Sequence, residues 1–172
     1  PELDGAYVRA DEEVAAPVGQ GVRQRSLEDR DVAGGDDDDE REAAIRTTVG
    51  LVVGERCALA ASSGLINAAP DYPSKRFLAT QTLDEARHVE VFTQRLFDLG
   101  VKPDDLESTI DRYVNPNLVK FAEVLLEKVE AKDFVAGVVG QNIVLEGMAF
   151  SVFEMMYAMN QEMNPKFAHT LS

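Results

Sequence analysis

One cysteine stands in a chain of 172 residues, and cations are scarce: Lys and Arg number 17 against 31 Asp and Glu, for a net charge of -14. Cys57 has no partner within the chain, so no disulfide framework supports the fold and nothing requires an oxidising compartment. The cytoplasm is the expected location. With so few cations, an electropositive face for a phosphate backbone or an anionic lipid surface is not expected, so neither nucleic acid nor membrane is a predicted partner. Uninterrupted apolar runs approaching the roughly 18 residues of a membrane span are missing. Residues 1–14 lack the basic start and apolar run of a signal peptide. With 45% hydrophobic residues, the chain reads as one soluble globular domain with a substantial core.

Strand-like alternation and internal repeats are also lacking, and the fold class read from the sequence is all-α. Residues 1–35 mix Gly, Pro and charge without a period and read as an irregular arm, leaving 36–172 as the helical domain. The acidic run Asp36 to Glu40 complements the start of a long helix extending to about Ala69. Pro70, Asp71 and Pro73 then supply a turn. A second helix is predicted from Pro73 to Leu99, capped by Gly100. Helical sequence follows from Pro103 to Lys132, broken near Asn115-Pro116, and a last long helix covers Asp133 to about Asn160, with Asn164-Pro165 as its stop.

The functional signal lies in ionisable residues placed on apolar stripes. Glu55 interrupts the stripe Ile45, Val49, Val52, Leu59, Ile66 of the first helix. Glu85 and His88, one turn apart, share the face of Leu78, Phe92 and Leu96 in the second. Glu146 sits among Ile143, Phe150 and Phe153 in the last. A lone buried carboxylate must protonate, pair with a cation or bind a metal. Arg56 and Arg87 lie one and two residues from Glu55 and Glu85, so helical rotation points both elsewhere. Three carboxylates and one imidazole suit iron or manganese.

Glu55, then Glu85-Ala86-Arg87-His88 preceded by Asp84, then Glu146 resembles the first half and middle of the ligand pattern of the ferritin-like dimetal-carboxylate proteins. The separations of 30 and 61 residues make the pattern most similar to ribonucleotide reductase small subunits and bacterial multicomponent hydroxylases. The resemblance implies an antiparallel four-helix bundle with an extra crossover helix, incomplete in this sequence. It implies two iron ions, or a manganese–iron pair, with Glu55, Glu85 and His88 on one metal, Glu146 on the second and Glu85 bridging. Asp84 would hydrogen-bond a histidine ligand on a facing helix. Glu85 and Glu146 would carry the chemistry by shifting their coordination, and Phe92, Phe150 and Phe153 would wall a substrate cavity. The implied activity is oxidation of a small organic substrate by dioxygen, with an electron-donor protein as partner and a homodimer as the assembly.

Three departures qualify it. No second Glu-x-x-His follows Glu146, and the remaining histidine, His169, lies seven residues after Glu162; the expectation is a fragment whose site is completed elsewhere. Phe92 stands where radical-forming reductases usually carry tyrosine, and Phe150 where hydroxylases often carry threonine. Two further readings stay open: a ferroxidase that handles iron without an organic substrate, and a metal-free helical interaction module. Gly137, Gly140 and Gly147 in the last helix invite either close helix approach or a π-type distortion, the latter expected around Glu146-Gly147.

Overall fold

The computed structural model describes residues 37–163 and His169. The expected irregular arm, the Asn164-Pro165 stop and the Glu162 side chain lie outside the described residues. Among those described there is no strand, and the all-α class holds. The order is α1 (Asp37–Leu65), α2 (Tyr72–Asp98), a 3-10 turn (Pro103–Asp105), α3 (Leu106–Tyr113), α4 (Pro116–Glu130) and α5 (Phe134–Val138); a π-helical segment (Val139–Leu145) then leads without a break into α6 (Glu146–Met163).

Local chemistry explains the boundaries. Asp71 caps α2, its Oδ1 accepting the Ser74 amide at 2.8 Å, with proline in the first turn. α1 ends at Leu65, four residues short of Ala69, and turns fill the gap before the Asp71 cap. Gly100 adopts φ 93, the left-handed conformation that ends α2 at little cost for glycine. Asn115 and Asp133 cap α4 and α5 by accepting the amides of Asn117 and Ala136.

α1 packs antiparallel along α2 on one side and against α4 on the other. Two apolar clusters form the core. One joins Cys57, Ala61 and Leu65 of α1 to Leu78 of α2 and to Ala122, Leu125 and Val129 of α4. The other joins Ile45, Val49, Val52 and Val53 to Phe92, Leu96 and Ile110. Because α1 is covered on two sides, its buried face is wider than one stripe: Val53, Cys57 and Leu65 are fully enclosed, while the expected stripe members Leu59 and Ile66 are only half-buried. Between the two clusters, at mid-height of both helices, lie Glu55 and Glu85.

Gly137 and Gly140 permit close approach. A Cβ on Gly137 would fall 2.6 Å from Leu65 Cδ2, and one on Gly140 would fall 2.7 Å from Leu125 Cδ1. Gly147 has no such neighbour. The π segment is present, but it ends immediately before Glu146 rather than being centred on Glu146-Gly147. Of the methionines, Met156 is buried, whereas Met148, Met155 and Met159 are exposed along with Val135, Ile143 and Phe150. The continuous helix Phe134–Gln161 is long and apolar enough to cross a membrane by length and composition alone.

Candidate metal centre

Burial singles out the carboxylates anticipated from the stripes. Glu55 is 7% exposed and Glu85 only 3%, so neither sits at a solvated boundary. His88 leans over both from the next turn of α2. Its side chain is 49% exposed, yet Nδ1 points inward, 3.2 Å from Glu55 Oε2 and 3.2 Å from Glu85 Oε2. One donor atom from each of the three lies within 4.8 Å of the others.

Glu146 joins the group through amides. Gln141 Nε2 reaches Glu146 Oε1 at 3.2 Å and Glu85 Oε1 at 3.5 Å, and Gln81 Nε2 donates to Glu85 Oε1 at 3.1 Å. Asn142 donates to Gln81 Oε1 at 2.9 Å, which fixes the orientation of that amide. The π segment explains how Gln141 and Glu146, five residues apart, come to share a face: its wider turn brings i and i+5 into register. Gln141 is fully buried, and its Oε1 and Asn142 Oδ1 are buried without a hydrogen-bond partner among the described residues.

Among the described residues, the cation paired with the buried carboxylates is His88. Arg56 and Arg87 do point elsewhere: Arg56 makes a two-pronged pair with Glu107 at 2.8 and 3.0 Å, and Arg87 pairs with Asp84 at 3.1 Å. Asp84 itself is exposed on the outer face of α2, and no described interaction joins it to a histidine. His169 is exposed.

Crowding sets the protonation of the cluster. Burial raises the Glu55 carboxyl above its usual range against the opposing pull of His88, and Glu85 adds to the rise. Burial works upward on Glu85 too, but hydrogen bonds from His88, Glu55 and Gln81 outweigh it and hold that carboxylate below its usual range. Burial and the adjacent Glu85 charge push Glu146 up to about 7. Hydrogen bonds to Glu55 and Glu85 raise His88 to about 10. In the metal-free protein at neutral pH, therefore, His88 carries a proton that a metal at Nδ1 would displace. Buried Cys57 is pushed up to about 12 and stays a thiol, so it is neither a ready nucleophile nor a ligand.

The donor chemistry fits a metal. Two buried carboxylates and an imidazole nitrogen converge from two helices, and a third carboxylate stands beyond Glu85. This is the oxygen-rich, nitrogen-containing set preferred by iron and manganese.

Of the three phenylalanines expected as cavity walls, two pack on each other and the third faces outward. Phe92 is buried and stacks on Phe153 with ring centroids 5.9 Å apart, and Phe150 is 73% exposed. A cavity of about 600 Å³ lies instead between α1, α4 and α6, where Leu51, Leu118, Phe121, Val144, Met148 and Val152 form apolar walls and Glu55 and Glu146 reach its lining.

Gln141 escapes a reading of the sequence, since at 3.6 residues per turn it falls about 140° from Glu146, whereas Asn142, four residues before Glu146, shares its face and is a polar signal there. Gln81 lies on the predicted stripe, and its polarity there is a usable signal. Comparison with known proteins adds no family to this geometry: no family model matches the chain, and neither a curated protein nor a solved structure matches it.

Proposed function

We propose that this chain is a ferritin-like carboxylate metalloprotein whose centre holds iron and serves the oxidation of a small organic substrate by dioxygen. The observation that carries the reading is the convergence of Glu55, Glu85 and His88 Nδ1 between two apolar clusters, with Glu146 beyond Glu85. Glu55, Glu85 and His88 would hold one ion. Glu146 would hold a second, with its other donors supplied from outside the residues described. An iron pair bound there supplies the electrons that reduce dioxygen.

The chain's own residues do the rest. Glu85, with one oxygen engaged by Gln81 and Gln141, offers the other toward His88, the oxygen with which it would hold the metal. Glu146 follows a π segment, whose looser turn lets its carboxylate swing between positions, and Gln141 accompanies it by hydrogen bond. The apolar clusters above and below limit water at the carboxylates. The large apolar cavity beside Glu55 and Glu146 favours an organic substrate over iron handling alone.

One observation favours a metal-free reading. An imidazolium at His88 between Glu55 and Glu85 is an adequate ion-pair network, and such a network would serve only to fix the register of α1 on α2. Metal analysis of protein purified without chelator, compared with Glu85→Ala, separates the two. Iron or manganese that disappears in the variant supports the centre; equally low metal in both supports the ion pair.

A further inference from the structure

We infer that the cavity between α1, α4 and α6 takes an elongated, uncharged and mainly apolar molecule, which enters past Asn115 and Asn117 and sets its inner end beside Glu55 and Glu146. Gly50 and Gly54 determine how much of it fits. The placement of the inner end rests on the reading of the carboxylates as a reaction centre.

Three observations carry the inference. First, Gly50 and Gly54 are one turn apart in the interior of α1 and both line the cavity, although glycine there weakens the helix relative to alanine. Close packing does not account for them: a Cβ at either position meets nothing within 4 Å, unlike Gly137 and Gly140. Their absent side chains are what leaves the space open. Second, the titratable residues lining the cavity are two acids, Glu55 and Glu146, and no cation lines it, in a chain of net charge -14, so nothing there would pair with an anionic ligand. Third, polarity is graded along the cavity. Exposed Thr47, Asn115 and Asn117 offer neutral hydrogen-bonding groups at the rim, half-buried Leu51 and Phe121 and buried Leu145 lie further in, and exposed Val144 and Met148 supply an apolar stretch of rim from the last helix. A volume of about 600 Å³ is within the range of small-molecule sites.

The test is a fluorescence titration of the full chain, stripped of metal, with N-phenyl-1-naphthylamine, a neutral apolar fluorophore, followed by competition with 1-decanol and with decanoate. Saturable binding displaced by 1-decanol more readily than by decanoate is expected. Gly54→Leu should weaken probe binding by about tenfold or more while Fe(II) uptake is retained, and Gly54→Ala should stay within about twofold of the wild type. Val135→Leu, which enlarges an exposed side chain outside the cavity, should change nothing. If Gly54→Leu loses its helical circular dichroism, Gly50→Leu is read in its place. Absence of saturable binding, equal displacement by decanoate, or wild-type affinity in a folded leucine variant overturns the inference. Wild-type protein that takes up Fe(II) but not the probe overturns it and leaves the metal reading intact. Probe uptake without Fe(II) uptake supports the ligand site and refutes the oxidase reading.

Discussion

Glu55→Gln distinguishes a metal ligand from a structural ion-pair partner. The amide preserves the shape of a side chain that is almost wholly buried and removes one carboxylate from a crowded group, while His88 keeps Glu85 at 3.2 Å. If the carboxylates are arranged for a metal, the metal-free protein should tolerate the change, with stability moving by less than about 1 kcal/mol. That corresponds to a melting shift of at most roughly 2–4 °C for a chain of this size. Metal-loaded protein should respond very differently. Fe(II) at about 100 times its dissociation constant stabilises the wild type by about 2.7 kcal/mol, or roughly 5–10 °C. A tenfold to hundredfold loss of affinity at the same concentration leaves about 1.4 to 0.4 kcal/mol of that. Anaerobic thermal denaturation of both proteins, with and without Fe(II), reads all four states. A large loss of metal-free stability together with identical Fe(II) responses in both proteins would refute the reasoning and leave Glu55 as the partner of the His88 imidazolium.

Other consequences follow from the same geometry. Protons on Glu55, Glu146 (about 7) and His88 (about 10) compete with a metal, so Fe(II) affinity should rise with pH between about 6 and 8 and binding should release protons. Calorimetry in buffers of different ionisation enthalpy measures the release, and a pH-independent affinity contradicts it. Metal-free stability should run the other way. The raised His88 contributes stability that is fully present below about 6.5 and lost as pH rises through about 10, and the raised Glu146 acts in the same direction through about 7. Denaturant midpoints of chelated protein should therefore fall from neutral to alkaline pH. Gly54→Ala should stabilise by about 0.5–1 kcal/mol, whereas Gly137→Ala, whose Cβ would fall 2.6 Å from Leu65 Cδ2, should destabilise by about 1–3 kcal/mol; urea unfolding checks both. Gln141→Leu, which removes the amide serving Glu85 and Glu146, should weaken Fe(II) binding by about tenfold to a hundredfold in equilibrium titration.

Much of the helical arrangement is legible in the sequence because its signals are local. Proline, aspartate and asparagine at the helix starts and glycine after α2 act within a turn, and they set boundaries to within a few residues of those observed. The end of α1 is less legible: the turns begin directly after Leu65, ahead of Pro70 and the Asp71 cap. Glu55, Glu85 and His88 are readable since α1 and α2 are regular and stepping by three and four residues remains valid along them. Beyond Val139 that arithmetic fails. The π segment inserts an extra residue into the turn, so Gln141 moves onto the face of Glu146. No propensity rule applied residue by residue signals such a phase change. The glycines hint at distortion without giving its position.

The most direct measurement is the iron and manganese content of the full chain, purified without chelator and then titrated anaerobically with Fe(II), beside Glu85→Ala and His88→Ala. Bound metal is expected in the wild type and is lost in both variants, each retaining its helical circular dichroism. Folded wild-type protein that neither carries these metals nor binds Fe(II) would contradict it.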